Sequence, residues 1–271
     1  MTKLLILNML VLAGVMSAAE PLFFAFDNGV GRGNLTPAQQ AEMLKELSYA
    51  GIGYTGTTAL GERQRAFDQA GLVITSLYVA CKLGSPPTSD AGLLDALPLL
   101  KDRPTVVWLT VQGEGDDAAA TAAVRLVAEP AAKLGVQVAL YPHFGYLVAT
   151  AEQALRIVET LALPNVGLTF NLCHELRAGN AARFPVILRA VAPHLRLVSI
   201  NGAEHDGDWD RLIKPLGDGA FDVLGLLRDL QTIGYGGPIG LQCYNVPGEQ
   251  RENLRRSLAT WRAYQTALAA R

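Results

Sequence analysis

The sequence of 271 residues predicts a single (β/α)8 TIM barrel, an α/β fold in which parallel strands alternate with helices. Three observations support this prediction. Apolar runs of strand length alternate with segments of helical period from residue 22 onward. The runs are continuously apolar, as in parallel strands that are buried on both faces. Eight such units fit a barrel of roughly 250 residues, which is the typical size of this fold.

The predicted strands are short apolar runs that contain many β-branched and aromatic residues. They cover residues 22–26, 53–58, 72–80, 105–111, 136–141, 166–171, 195–201 and 239–244. The predicted helices between and after them cover residues 37–50, 61–70, 90–100, 117–134, 150–161, 181–191, 221–233 and 249–268. The first helix has the clearest start, because Thr36 suits the N-cap and Pro37 suits the first helical position.

An open, doubly wound sheet is the main alternative to the barrel. Such a sheet would place a glycine-rich phosphate loop directly between the first strand and the first helix. Residues 26–33 contain glycines, but Asn34, Leu35 and Thr36 intervene before the helix. The insertion disrupts the geometry that binds a phosphate at a helix N-terminus. The sequence therefore favours the closed barrel.

Residues 1–19 have the pattern of a secretory signal peptide. Lys3 gives a basic start, residues 4–16 are apolar, and residues 17–19 are small. The apolar run is shorter than the ~20 residues that span a bilayer. We expect cleavage after Ala19, an exported and periplasmic protein, and a barrel domain at residues 20–271. The alternative is a buried N-terminal strand or helix.

The composition narrows the range of partners. Hydrophobic residues make up 50% of the chain and charged residues 18%, which suits a large apolar core. The formal net charge is -2 and basic residues do not cluster, so we expect no nucleic-acid partner. We also expect no membrane association after signal cleavage. The oligomeric state stays open.

Polar side chains directly follow two of the predicted strands. Tyr141-Pro-His143 follows the strand at 136–141, and Asn171-Leu-Cys-His174 follows the strand at 166–171. Active sites of these barrels lie at the C-terminal ends of the strands. A histidine after an apolar strand can also be a structural, hydrogen-bonded residue. The strand-end position nevertheless favours functional roles for His143 and His174.

The order of these and other motifs resembles the xylose isomerase-like TIM barrels, a superfamily of sugar isomerases, epimerases and apurinic endonucleases. The resemblance covers the chain from residue 20. The motifs that carry it are Gly51-Ile-Gly-Tyr54, residues 166–174, Pro215-Leu-Gly-Asp-Gly219 and Gly234-Tyr-Gly-Gly-Pro-Ile-Gly-Leu-Gln242. It implies a barrel that binds a small sugar or a sugar derivative.

The resemblance also implies a divalent metal, yet this chain departs from the family at all four ligand positions. Members usually place Glu, Asp, His and Glu at the ends of the fifth to eighth strands. The matching residues here are Tyr141, Asn171, Ser199 and Gln242. Hard cations prefer anionic oxygens, whereas amides supply a dipole without the charge. We expect the usual metal to be absent and no residue to serve as a metal ligand; the sequence does not predict another cofactor.

The remaining polar residues predict proton abstraction next to a sugar carbonyl. His143 or Glu204 would take the proton, while His174 and Lys82 would stabilise the oxyanion. Lys82 and Glu204 could equally be solvated loop charges. Amides donate to and accept from hydroxyls, and an indole can stack on a sugar ring. The residues expected to bind the sugar are Tyr141, Asn171, Asn201, Gln242 and Trp209.

The predicted function is therefore an exported isomerase, epimerase or carbon–oxygen lyase that acts on carbohydrate. The alternative is a non-catalytic sugar-binding barrel that has lost the metal site, because amides in place of carboxylates preserve hydrogen bonding. A DNA-repair nuclease is a weaker third hypothesis, since metal-dependent nucleases of this fold need many histidines and acids and the chain has 4 histidines.

Overall fold

Parallel strands close into a barrel in the computed structural model, which describes residues 20–270. In chain order the strands are β1 (Phe23–Phe26), β2 (Gly51–Thr55), β3 (Val73–Lys82), β4 (Thr88–Ser89), β5 (Val106–Gln112), β6 (Val138–Leu140), β7 (Val166–Asn171), β8 (Leu195–Ile200) and β9 (Ile239–Leu241). β4 is a short antiparallel addition to β3. The other strands pair in parallel with their neighbours, and β9 pairs with β1 to close the ring. The predicted fold class is confirmed.

Helices surround the barrel and connect its strands. They are α1 (Pro37–Leu47), α2 (Leu60–Ala70), α3 (Leu93–Ala96), α4 (Asp117–Lys133), α5 (Ala151–Leu161), α6 (Leu172–Arg177), α7 (Phe184–Val191), α8 (Trp209–Leu212), α9 (Val223–Thr232) and α10 (Gln250–Ala269). Capping boxes begin α1 at Thr36 and α5 at Thr150, while Asp116 caps α4. The sequence prediction did not include α6 and α8, which lie within the loops after β7 and β8. The predicted helix at 90–100 is the short α3 followed by a 3-10 turn.

Large side chains fill the inside of the barrel. The buried interior cluster comprises Phe24, Phe26, Trp108, Ala139, Tyr141 and Leu197. Gly240 makes room for this cluster, because a Cβ there would lie 2.6 Å from carbons of both Phe24 and Phe26. A second, larger apolar layer packs between the strands and the helices. The filled interior leaves open space above the rings, at the C-terminal ends of the strands.

The predicted signal peptide at residues 1–19 lies outside the described residues, so cleavage and export stay predictions. Within residues 20–270, each helix is too short or too polar to cross a bilayer.

Candidate active site

A cavity of about 490 Å³ opens at the C-terminal end of the barrel strands. Small-molecule sites typically have volumes of roughly 300–1,000 Å³. Its wall combines residues of β1, β2, β3 and β5 with residues that follow β1, β6, β7, β8 and β9. Aromatic rings form much of this wall, and they are Phe26, Tyr78, Trp108, Tyr141, Phe144, Tyr146, Trp209 and Tyr244.

His143 and His174 lie side by side on one wall of the cavity, with ring centroids 4.2 Å apart. His143 belongs to the loop after β6, and His174 belongs to α6, which begins directly after β7. The Tyr146 ring stacks on His143 at 4.1 Å, and Trp209 meets His174 edge to face at 5.3 Å. The structure therefore brings together both histidines predicted from the sequence and restrains each ring by packing.

Hydrogen bonds and burial set the protonation of both histidines. His143 Nδ1 lies 2.9 Å from the carbonyl oxygen of Phe144, and the Phe144 amide donates to His174 Nδ1 at 3.2 Å. Burial lowers the pKa of His143 below its usual 6.5. Burial, with a smaller effect of His143, lowers the pKa of His174 well below that value. Both imidazoles are therefore neutral near pH 7.

The four residues at the family's metal positions form two hydrogen-bonded pairs inside the barrel. Ser199 Oγ donates to Asn171 Oδ1 at 2.8 Å, and Asn171 Nδ2 donates to the carbonyl oxygen of Pro142 at 2.7 Å. Gln242 Nε2 donates to the Tyr141 hydroxyl at 3.4 Å. We refer to Tyr141, Asn171, Ser199 and Gln242 as the barrel network.

The barrel network does not fit a divalent metal. It contains no carboxylate, and burial keeps the pKa of Tyr141 well above its usual value, so the phenol stays neutral. Gln242 Oε1 already accepts from Asn28 Nδ2 at 2.9 Å and from two backbone amides, and Asn171 Oδ1 accepts from Ser199. Among residues 20–270, no three His, Cys, Asp or Glu side chains converge in a way that could hold a metal ion.

Asp27 and Arg32 form a charge pair in the cavity wall that was not predicted from the sequence. Asp27 Oδ2 accepts from the Thr55 amide at 2.9 Å, and Asp27 Oδ1 accepts from Thr55 Oγ1 at 2.8 Å. Arg32 Nη1 lies 3.6 Å from Asp27 Oδ1. Burial raises the pKa of Asp27, while Thr55 and Arg32 oppose that effect. Asp27 directly follows β1, so the strand-end argument used for the histidines could have identified it.

The remaining predicted residues divide between the cavity and its surroundings. Trp209, Tyr141 and Gln242 line the cavity together with the two histidines. Asn171 is buried beneath it in the barrel network. Asn201 Nδ2 donates to the carbonyl oxygens of Gly202 and Leu212, so this side chain holds the loop after β8.

Neither Lys82 nor Glu204 is among the residues that line the cavity. Lys82 is exposed at the end of β3. Glu204 forms an ion pair with Lys214 and accepts from the Ala220 amide at 3.2 Å. The bond from Lys214 lowers the pKa of Glu204. A paired carboxylate outside the cavity is poorly placed to take a proton from a ligand in it.

A second cavity of about 370 Å³ adjoins the first. Asn28 and Gln242 line both cavities and are hydrogen-bonded to each other. Three further amide side chains, those of Asn245, Gln250 and Asn253, line the second cavity. Amides can donate to and accept from hydroxyl groups, so this cavity also suits a polyhydroxylated ligand.

Comparison with known proteins agrees with this architecture. The model of the xylose isomerase-like TIM barrel family matches residues 45–264. The chain is 30% identical to the uncharacterized protein MJ1311 of Methanocaldococcus jannaschii over 123 aligned residues. The aligned stretch covers 44% of this chain and 41% of that protein. The match thus spans about two fifths of that relative.

Solved structures share the fold at low sequence identity. The 3-keto-D-glucoside 4-epimerase YcjR from E. coli has a TM-score of 0.71 at 16% identity and covers 90% of this chain and 100% of its own. The D-psicose 3-epimerase from Clostridium cellulolyticum H10 has a TM-score of 0.68 at 15% identity, with 89% and 98% covered. The IOLI protein, whose crystal structure contains a zinc atom, has a TM-score of 0.71 at 17% identity, with 89% and 97% covered. These similarities show the fold.

Proposed function

The chain belongs to the xylose isomerase-like TIM barrel family, and on that premise we propose that it is a carbohydrate isomerase or epimerase. The reaction would move a proton on the carbon next to a sugar carbonyl. The observation that carries this proposal is the pair of neutral histidines, 4.2 Å apart, on the wall of an aromatic cavity. The epimerases among the structural relatives support the same reaction class.

The charge balance of the cavity favours a neutral sugar. Asp27 and Arg32 compensate each other, both histidines are neutral, and Arg177 pairs with Asp208 at 2.8 Å. A phosphorylated ligand would bring a charge of about -2 that no unpaired cation in this wall would meet. Aromatic rings can instead pack on the apolar faces of a sugar, while Gln242 and Thr55 place polar atoms in the cavity wall.

We propose different tasks for the two histidines. His143 takes the proton from the carbon next to the carbonyl, and the electron pair of that bond moves to the carbonyl oxygen. His174 donates a hydrogen bond to the resulting oxyanion. Return of a proton to the opposite face of the same carbon gives an epimer. Delivery of the proton to the former carbonyl carbon, with the proton of the adjacent hydroxyl passing to the enolate oxygen, gives an isomer. Departure of a leaving group from the β-carbon would make the protein a lyase. Glu204 and Lys82, the other residues predicted for these tasks, lie outside the cavity wall.

We further propose that the protein is exported to the periplasm through the signal peptide at residues 1–19. The basic, apolar and small-residue segments of that stretch support export. Phosphorylated sugars are retained in the cytoplasm, so export favours a free sugar or a keto-glycoside as the substrate. This choice agrees with the neutral cavity.

A non-catalytic sugar-binding barrel is the second candidate. The barrel network favours it, because the amides of Asn171 and Gln242 preserve the shape of a carboxylate without its charge. A barrel of this kind would bind sugars through the same aromatic wall. Replacement of His143 would then weaken binding, with no turnover to lose.

Deuterium exchange separates the two candidates. The protein is incubated in D2O with a panel of neutral aldoses, ketoses and 3-keto-glycosides, and 1H NMR follows loss of the proton next to the carbonyl. We expect exchange with wild type, none with His143→Gln, and full exchange with His194→Gln, a matched control beyond the opposite end of the barrel. Sugar binding seen by tryptophan fluorescence, without exchange of any panel member, would refute the enzyme and support the binding protein.

A further inference from the structure

The backbone of Phe144 contacts both histidines through different atoms. Its carbonyl oxygen lies 2.9 Å from His143 Nδ1, and its amide nitrogen lies 3.2 Å from His174 Nδ1. A single residue between the two rings therefore makes a hydrogen bond with each of them. In one contact the backbone atom is an acceptor, and in the other it is a donor.

We propose that the Phe144 backbone fixes His143 and His174 in opposite tautomers, which makes Phe144 a positioning residue of the site. The catalytic consequence of this proposal rests on the proposed function, whereas the tautomers themselves do not. Neither the family resemblance nor the relatives assign a role to this residue.

The tautomers follow from what each backbone atom can do. A carbonyl oxygen only accepts, so His143 Nδ1 must carry the hydrogen, and in the neutral ring its Nε2 holds a lone pair. An amide N–H only donates, so His174 Nδ1 must be unprotonated and its Nε2 must carry the hydrogen. Both residues line the cavity, and neither Nε2 atom hydrogen-bonds to a side chain or backbone atom within residues 20–270.

The same hydrogen bonds also change the electron density of the two imidazole rings in opposite directions. Donation from Nδ1–H to the Phe144 carbonyl increases electron density on His143 and makes its Nε2 a better base. Acceptance from the Phe144 amide withdraws electron density from His174 and makes its Nε2–H a better donor. The result is a base and a donor side by side, which a proton transfer next to a carbonyl requires.

The loop that carries Phe144 is held firmly on several sides. The His143 amide donates to the Val148 carbonyl at 2.9 Å, and the Tyr146 amide donates to the His143 carbonyl at 2.9 Å. Gly145, at φ 91°, provides the left-handed residue that the turn needs. Below the loop, Asn171 Nδ2 donates to the Pro142 carbonyl at 2.7 Å. The peptide therefore keeps its orientation between the rings.

This arrangement supports a reaction that needs only the sugar and the two histidines. The C–H bond next to the sugar carbonyl breaks, and its proton forms a bond with His143 Nε2. The electron pair forms a carbon–carbon double bond, and the carbonyl π pair moves to oxygen. His174 Nε2–H donates a hydrogen bond to that oxygen and keeps its own proton. His143 then delivers its proton to the former carbonyl carbon, while the proton of the adjacent hydroxyl passes to the enolate oxygen, so that the carbonyl re-forms on the neighbouring carbon.

Nitrogen-15 NMR of the imidazole rings tests the proposal directly. An unprotonated ring nitrogen resonates far downfield of a protonated one, so a long-range 1H–15N spectrum distinguishes the tautomers. The sequence has 4 histidines, and the variants His143→Gln and His174→Gln assign the two signals of interest. We expect His143 to be protonated on Nδ1 alone and His174 on Nε2 alone. Any other protonation pattern overturns the proposal.

Two variants at position 144 show whether the backbone is responsible. Phe144→Ala keeps the peptide and should leave both tautomers unchanged. Phe144→Pro removes the amide hydrogen but keeps the carbonyl, so His174 should become a mixture of tautomers while His143 stays as it is. An unchanged His174 in the proline variant would overturn the role of the amide. If that variant does not fold, the wild-type spectrum alone decides. The spectrum is independent of turnover, so opposite tautomers without sugar exchange would refute only the proposed function.

Discussion

Replacement of Asn171 by alanine should strongly destabilise the protein, because this side chain is buried and makes two hydrogen bonds. The substitution removes two buried hydrogen bonds, one from Ser199 Oγ at 2.8 Å and one to the Pro142 carbonyl at 2.7 Å. Each orphaned buried group costs about 1–3 kcal/mol. Two such groups predict a loss of about 3 kcal/mol in the free energy of unfolding. For a chain of this size that corresponds to a fall in Tm of roughly 6–10 °C.

Urea denaturation followed by far-UV circular dichroism measures this loss, and Ser199→Ala is the matched control. The control removes only the 2.8 Å bond and leaves the Asn171–Pro142 bond intact. We expect Ser199→Ala to cost about 1 kcal/mol, clearly less than Asn171→Ala. Equal losses for both variants, or a loss below about 1 kcal/mol for Asn171→Ala, would refute the network as described.

Further predictions concern other parts of the site. Burial keeps the pKa of His174 well below 6.5, so its contribution to stability is present above pH 6.5 and is lost as the pH falls toward the folded-state pKa. Urea titrations at several pH values should show that loss in wild type and a flatter profile in His174→Gln. Arg32→Ala should weaken sugar binding about 10-fold, measured by tryptophan fluorescence, because it removes a charged donor from the cavity. Lys82→Ala should leave deuterium exchange unchanged, because this side chain does not line the cavity; a large loss would restore it as a site residue.

The barrel could be predicted from the sequence because its strands are largely apolar runs that alternate with helical segments. The short helices α6 and α8 could not, since six and four residues are too few to give a helical period. Tertiary contacts maintain them: Trp209, in α8, packs against His174, in α6. The starts of α1 and α5 were predicted to within one residue, because Thr36 and Thr150 are favourable N-cap residues.

The site could be predicted in part, because the strand-end rule identifies a position along a strand but not the direction of the side chain. His143, His174 and Gln242 follow strands and line the cavity. Asn201 also ends a strand, yet its amide is directed to backbone carbonyls of the loop after β8. Glu204 is engaged by Lys214, ten residues along the chain, a pairing that depends on how that loop folds. Loop conformation is a tertiary property, and periodicity carries no information on it.

The loss of all three carboxylates at the family's metal positions is what a metal-free barrel requires. Buried carboxylates that lose their cation repel each other, and each unpaired buried charge costs several kcal/mol.

Asn171→Asp tests this reasoning. The new carboxylate could no longer donate to the Pro142 carbonyl 2.7 Å away, and burial would raise its pKa. The variant should therefore be least stable above that pKa and recover as the pH falls through it. If manganese or zinc instead stabilised Asn171→Asp to the level of wild type, the barrel network would retain the geometry of a metal site, and the reasoning from charge would be wrong.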